Sequence, residues 1–166
     1  MNVIDVLRNI SKSPLKAWVM NKALHYMIPF NAPHGFWVDY KDDDEVLVRI
    51  PYRRKNLNHV KGIHACALAT ACEYASGLAI ASGMDSKTFR YLLSSIKVDY
   101  TFQAKTDIVV SCKRSDLEID KVIEELKSSE STTLVVSVYA VDKQGNKVCF
   151  CQTTWHIKYW DKVRTK

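Results

Sequence analysis

The longest patterned stretch of the chain is a run of small apolar residues that follows His64 and reaches Ala81. Alanine recurs at every second or third position, and no proline interrupts the run. Because alanine has the highest helix propensity, the pattern predicts one helix over about 64–81, roughly 27 Å long. The run is apolar nearly all round, which predicts a helix buried on all sides. A helix so rich in alanine is thin, and a sheet could wrap closely around it.

Strand-like patterns lie on both sides of this helix. Residues 35–40 and 45–50 alternate apolar and polar positions around an acidic turn, which predicts a β-hairpin. Two or three strands are expected within 91–112, and two long ones over 132–141 and 147–160. One face of the last strand is expected to carry Cys149, Cys151, Thr153, Trp155, Ile157 and Tyr159. Strands around one buried helix predict an α+β fold, with a single domain over 1–166 and the sheet curled over the helix.

Two shorter segments also have helical patterns. Ser13 and Pro14 are typical of an N-cap and a first helical position. They predict an N-terminal helical appendage, and we expect its Trp18 and Met27 to pack on the domain. Residues 115–118, Ser-Asp-Leu-Glu, have the spacing of a capping box. The amphipathic helix that should follow would turn inward Leu117, Ile119, Val122, Ile123 and Leu126.

Glu73 is the exception within the apolar run. A carboxylate in such a helix is costly unless it is paired, hydrogen-bonded or protonated. One interpretation is that Glu73 faces a wet groove or meets an arginine. The other is a general base or nucleophile with a raised pKa, held in a pocket. Tyr100 and Phe102 share a face of a predicted strand and could line such a pocket or belong to the core.

The start of the helix offers a complement to this carboxylate. Gly62 and His64 lie where the chain enters the helix, so free backbone N–H groups would point at a bound carbonyl group there. Glu73 follows His64 by nine residues. In a helix this is about 13 Å along the axis and roughly 180° around it. One helix cannot bring both features to one carbonyl, but two copies related by a twofold axis can, so a catalytic pair predicts at least a dimer.

Asn58, His64 and a carboxylate nine residues further on resemble the signature of the hotdog-fold acyl-CoA thioesterases, in particular the phenylacetate-degradation branch. The resemblance implies a hotdog fold, with a curved antiparallel sheet around a central helix, in a homodimer or a dimer of dimers. It implies hydrolysis of a thioester of CoA or acyl carrier protein, without a cofactor. By position, Glu73 would be base or nucleophile, and Asn58 and His64 would line the site. The backbone at Ala65 and Cys66 of the partner subunit would contact the oxyanion.

The sequence departs from that family at two places. The two glycines that follow the histidine there are replaced by Ala65 and Cys66, although glycine allows the closest approach of backbone to substrate. Gly77, one turn after Glu73, stands where some relatives carry a hydroxyl side chain. The chain is thus more similar to an uncharacterised, thioesterase-like branch. Ala65 and Cys66 favour a second class, a non-catalytic acyl-CoA binder or dimeric interaction module. A dehydratase also occurs on this fold, but the segment before Gly62 lacks that branch's prolines.

The net charge of +6 includes a basic cluster beside the predicted helix start, formed by Arg53, Arg54, Lys55 and Lys61. The cluster is either a solvated loop or a clamp for anionic ligands such as the phosphates of CoA or of a carrier-protein pantetheine arm. RNA binding is a further option at this charge. The other basic residues are scattered and form no recognised motif, so we expect no nucleic-acid partner.

Five cysteines are present without a CxxC pair, which is typical of free thiols in a reducing compartment. Neither their spacing nor that of the nearby histidines matches a metal site. No apolar run of membrane-spanning length lacks a polar interruption. Residues 1–10 lack the basic start and the cleavage site of a signal peptide. We therefore expect a cytoplasmic protein with no metal and no membrane contact.

Overall fold

The computed structural model describes residues 13–164. The helices of this range are α1 (Pro14–Met27), α2 (Ala65–Gly83) and α3 (Ile119–Ser128). Its strands are β1 (Trp37–Lys41), β2 (Glu45–Ile50), β3 (Phe89–Tyr100), β4 (Ile108–Lys113), β5 (Thr132–Asp142) and β6 (Lys147–Tyr159). They form one antiparallel sheet in the order β1-β2-β4-β5-β6-β3, so β1 and β3 are its edges. The prediction about a signal peptide concerns residues outside this range.

The sheet wraps around α2, which contacts β2, β3, β4, β5 and β6. Small side chains on α2 let the strands approach closely, and Ala71, Ala75 and Ala79 are completely buried. The predicted face of β6 is confirmed, since its alternate residues from Cys149 to Ile157 are buried. A central helix enclosed by one antiparallel sheet is the hotdog fold that the resemblance implied.

α2 is not buried on all sides, and that prediction is wrong. Its first residues, Ala65 and Cys66, are exposed. One stripe of α2 is exposed or only half-buried, and it consists of Cys66, Ala69, Thr70, Glu73 and Gly77. These positions recur at a spacing of three or four residues and therefore lie on one face. This open stripe connects the start of the helix with Glu73.

By length and composition α2 is apolar enough to cross a membrane. It carries Glu73, the polar interruption that the sequence analysis took into account. Within the fold, 67% of its most apolar stretch is buried. This burial is typical of the core helix of a soluble protein.

α1 forms the predicted N-terminal appendage, but with a different face inward. Trp18 and Met27 are 51% and 63% exposed, so the expectation that they pack on the domain is wrong. Asn21 sets the orientation, because its side chain accepts a hydrogen bond from the Val38 N–H (2.7 Å) and donates one to the Val38 carbonyl (2.9 Å). It thereby covers part of the open edge of β1. The buried face consists of Ala17, Met20, Asn21 and Leu24.

α3 begins at Ile119 and buries the expected residues Ile119, Val122 and Leu126. The predicted capping box is wrong. The backbone N–H and the hydroxyl of Ser115 both donate to the Asp44 carboxylate, at 2.8 and 2.7 Å, and residues 114–116 form a 3₁₀ turn. These hydrogen bonds lower the pKa of Asp44. A carboxylate in the β1–β2 turn is thus the partner of Ser115, and the helix starts later.

Candidate active site

Glu73 lies on the open stripe of α2, where two largely apolar cavities meet. The tryptophan cavity, of about 430 Å³, is lined by Leu24, Tyr91 and Trp155 among others. The edge cavity, of about 440 Å³, lies against β3 and is lined by Phe30, Ile96 and Tyr100 among others. The two cavities share Ile28, Glu73 and Tyr74. The appendage therefore closes the site from one side, and the carboxyl group borders both volumes.

The Glu73 carboxyl has neither a hydrogen bond nor an ion pair with any residue in the range 13–164. No arginine neutralises it there, so the structure offers no support for an arginine partner. Partial burial raises the pKa of Glu73 because it disfavours the charged form. An unpaired carboxyl with a raised pKa beside a cavity is a feature of catalytic acids and bases.

Three hydrogen-bonded side chains, Ser76, Thr153 and Trp155, hold the part of α2 that carries Glu73. Trp155 Nε1 donates to Ser76 Oγ (3.2 Å) and Thr153 Oγ1 (3.0 Å), and Ser76 Oγ donates to the Glu73 carbonyl (2.8 Å). A Cβ at Gly77 would lie 3.0 Å from the Trp155 ring, so glycine allows the indole to lie against the helix. Gly77 lines the tryptophan cavity, and its role in substrate binding, which the position in the family pattern implies, stays a prediction. Sequence reasoning missed the role of these three residues, because nothing in the apolar segments that contain them distinguishes them from ordinary core residues.

The start of α2 leaves one of its first two amides free. His64 caps the helix, and its Nδ1 accepts a hydrogen bond from the Cys66 N–H at 3.1 Å. The Ala65 N–H has no acceptor within residues 13–164. Tyr100 Oη donates to the Ala65 carbonyl at 3.0 Å and ties the helix start to the end of β3. The amide available to a ligand is therefore that of Ala65, whereas that of Cys66 is engaged.

Asn58 and Gly62 belong to the loop that leads into α2. Asn58 Oδ1 accepts hydrogen bonds from the backbone N–H groups of Val60 (3.1 Å) and Gly62 (3.0 Å). Lys61, between them, has a positive φ of 58°. The Asn58 oxygen thus organises the loop, and its role in lining the site stays a prediction.

Asn56, two residues earlier, was missed by sequence reasoning. Its Nδ2 donates to the carbonyls of His34 (3.0 Å) and Pro51 (2.9 Å), and its own carbonyl accepts from the His64 N–H at 2.7 Å. This buried residue connects the appendage side of the protein to the helix start. No motif marks it, because its partners are backbone groups and the His34 ring, which only the fold brings together.

The basic cluster is only partly available to an anion. Arg53 donates through Nη2 to the Pro33 carbonyl at 2.7 Å. Arg54, Lys55 and Lys61 are exposed, and none of them makes an ion pair within the described range. Of the predicted phosphate-binding residues, Arg54 and Lys61 therefore keep free charged groups, and Arg53 supports the loop.

The cysteines are free thiols, four of them buried and Cys66 exposed at the helix start. Cys72 on α2 faces Cys149 and Cys151 of β6, and contact with these thiols together with burial raises its pKa. Among residues 13–164 no cluster of three potential ligands could hold a metal ion.

The single antiparallel sheet wrapped around α2 defines a protein of the hotdog fold. Its family is the one described as a domain of unknown function, DUF4442, whose model matches residues 16–157. The chain belongs to this family. No curated protein matches the sequence.

Several solved structures share the fold. A Pseudomonas aeruginosa protein of unknown function, called a probable thioesterase, is 19% identical with a TM-score of 0.75, over 93% of this chain and 95% of that one. A Staphylococcus aureus thioesterase is 17% identical with a TM-score of 0.63, over 78% and 98%. It has been solved with a glutamine replaced and with a glutamate 15 positions further along replaced. A second P. aeruginosa thioesterase, solved with a glutamine replaced, is 12% identical with a TM-score of 0.65, over 84% and 91%. These likenesses establish the fold.

Proposed function

We propose that this protein hydrolyses acyl thioesters of CoA or acyl carrier protein, with Glu73 as general base or nucleophile. The observation that carries the proposal is the unpaired Glu73 carboxyl at the junction of two largely apolar cavities. The cavities offer room for an acyl group, and a pKa raised by burial makes the carboxylate a stronger base near neutral pH. The cytoplasmic location expected from the free cysteines belongs to the same proposal.

Two chemical routes are compatible with this arrangement. As a base, Glu73 would take a proton from a water molecule that attacks the thioester carbonyl. As a nucleophile, it would attack that carbonyl itself, and water would then cleave the resulting anhydride. In both routes the carbon–sulfur bond breaks, and the sulfur leaves as a thiol after taking up a proton.

The negative charge that develops on the carbonyl oxygen requires a donor, and we assign it to the Ala65 N–H of a second copy. The edge strand β3 supports the presence of a second copy. Its side chains Leu92 and Ile96 are 52% and 40% exposed, and an open sheet edge is usually covered. In antiparallel pairing of two β3 strands, the Tyr100 end of one would face the Phe89 end of the other. Tyr100 contacts Ala65 in its own chain, and Tyr91 borders the cavity beside Glu73. Such a homodimer, alone or paired into a tetramer, would combine the two halves of the site.

The spacing of Asn58 and Glu73 supports a role for Asn58 in the site. Asn58 precedes Glu73 by 15 positions, the same separation as between the glutamine and the glutamate replaced in the S. aureus thioesterase. Asparagine and glutamine carry the same amide group. His64 at the helix start, as a residue of the site, and the exposed Arg54 and Lys61, as phosphate-binding residues, belong to the same proposal.

A second candidate function is an acyl-thioester binder without turnover. The specific observation in its favour is that His64 engages the Cys66 N–H, at a place where the related family has glycines. One backbone donor fewer at the helix start would weaken oxyanion stabilisation.

A panel of acyl-CoA esters tests the two candidates against each other. We expect the purified protein to release thiol from at least one ester, as followed with a thiol reagent. If no ester is cleaved while CoA esters raise the melting temperature, the thioesterase proposal is wrong and the binder is supported.

A further inference from the structure

Three asparagines are almost completely buried, and one of them differs from the other two. Asn21, Asn31 and Asn56 are 2%, 2% and 1% exposed. The side chains of Asn21 and Asn56 are hydrogen-bonded to backbone groups. The side-chain amide of Asn31 has no hydrogen-bond partner within residues 13–164. Its nitrogen and oxygen are not among the fully enclosed side-chain atoms of this range that lack a partner, so they border a space that water or a ligand can enter. Buried amides in folded proteins are nearly always hydrogen-bonded, so a partner from outside the chain is expected.

Asn31 lines the edge cavity together with Glu73. It lies in the 3₁₀ turn Pro29–His34, between α1 and β1. Two other polar groups of the cavity are already engaged, because the Thr70 hydroxyl donates to the Cys66 carbonyl and the Tyr100 hydroxyl to the Ala65 carbonyl. The Asn31 amide therefore faces the volume that an acyl group would occupy, and it keeps its hydrogen-bonding capacity for a ligand.

We propose that Asn31 is a specificity residue whose amide binds an oxygen atom carried by the acyl group. Thioesters with a hydroxyl or oxo substituent would then be preferred over the hydrocarbon acyl group of the same length. A hydroxyl can both donate to and accept from an amide. A hydrocarbon would leave the buried amide unpaired, which is how a binding site rejects a substrate that lacks a polar group. This inference rests on the proposed function and concerns the same site.

The test compares acyl-CoA esters in pairs that differ by one oxygen substituent, 3-hydroxyacyl against saturated acyl and hydroxyaryl against aryl. We expect wild-type kcat/KM to favour the oxygenated member of at least one pair by roughly tenfold or more. Asn31→Leu, of similar size, should bring that ratio close to one by slowing only the oxygenated substrate. No preference in the wild type, or an unchanged preference in Asn31→Leu, would overturn the inference.

Thermal stability separates a binding role from a structural one. Asn21→Leu is the matched control, since it removes a buried amide that is hydrogen-bonded, and its melting temperature should fall by roughly 5 °C or more. Asn31→Leu should melt at the wild-type temperature or above, because no hydrogen bond within residues 13–164 is lost. A fall equal to that of Asn21→Leu would assign Asn31 to the structure and contradict the proposal.

A binding readout keeps this inference distinct from the hydrolysis proposal. In the Glu73→Gln variant, oxygenated acyl-CoA esters should raise the melting temperature more than their hydrocarbon partners, and the added Asn31→Leu change should remove the difference. If this discrimination is found without turnover in the wild type, the Asn31 inference stands and the thioesterase proposal fails. If turnover occurs and neither rate nor binding depends on Asn31, the thioesterase proposal stands and the Asn31 inference fails.

Discussion

Replacement of Glu73 with glutamine should lower kcat/KM for thioester hydrolysis roughly 100- to 10,000-fold, because the amide can neither accept the proton nor attack the carbonyl. The change preserves the size of the side chain and breaks no hydrogen bond or ion pair within residues 13–164. Glu130→Gln, which neutralises an exposed carboxylate, is the matched control and should keep full activity. Activity of Glu73→Gln within threefold of the wild type would remove Glu73 from the mechanism.

The raised pKa of Glu73 predicts how the hydrolysis rate and the effect of Glu73→Gln on stability depend on pH. The ionised form is the active base, so the wild-type rate should fall as the pH drops through the raised pKa. Ionisation of Glu73 has the opposite effect on the stability of the fold. A raised folded-state pKa means that ionisation opposes folding above the ordinary value of 4.5. Glu73→Gln should therefore melt above the wild type at pH 8, with no such advantage at pH 4, as measured by thermal unfolding.

Replacement of Ala65 with proline should lower kcat roughly 100- to 1,000-fold, since it deletes the one free amide among the first two of α2. Proline is well tolerated at the first position of a helix. The preceding His64 has φ −64° and ψ 138°, an extended conformation that suits a residue before proline. The fold should therefore survive, and melting temperature and rate can be measured on the same sample.

Ala65→Ser is the control for this variant, because it changes the side chain and keeps the N–H. We expect the serine variant to retain activity within a few-fold of the wild type, and the proline variant to keep a similar melting temperature. Equal activity of both variants would show that the Ala65 amide is not the oxyanion donor.

The central architecture could be predicted from the sequence because its signals are local. A proline-free run of alanines predicts a helix whatever surrounds it, and the expected span of 64–81 agrees with the observed Ala65–Gly83. Alternation in the hairpin and in the last strands likewise reflects which face meets the core. Glu73 stood out because it is the charged residue within an apolar helix.

The remaining features depend on contacts between distant residues. The face that α1 buries is set by Asn21 binding Val38, 17 residues away, and the apolar pattern of α1 does not show it. The open stripe of α2 could not be anticipated, since alanine, threonine and cysteine suit buried and exposed positions alike. Asn31 lies in a turn with two prolines, and nothing in that segment distinguishes a cavity-lining amide from a turn residue.

Each active site is proposed to take Glu73 from one chain and the Ala65 amide from another, and subunit complementation measures this directly. Glu73→Gln and Ala65→Pro chains, each with its own affinity tag, are coexpressed and the mixed dimers are purified through both tags. Each variant alone should be nearly inactive, whereas the mixed dimer should recover roughly half of the wild-type rate, because one of its two sites is then intact. A mixed dimer as inactive as its parents, or an active wild-type monomer in solution, would contradict the shared site.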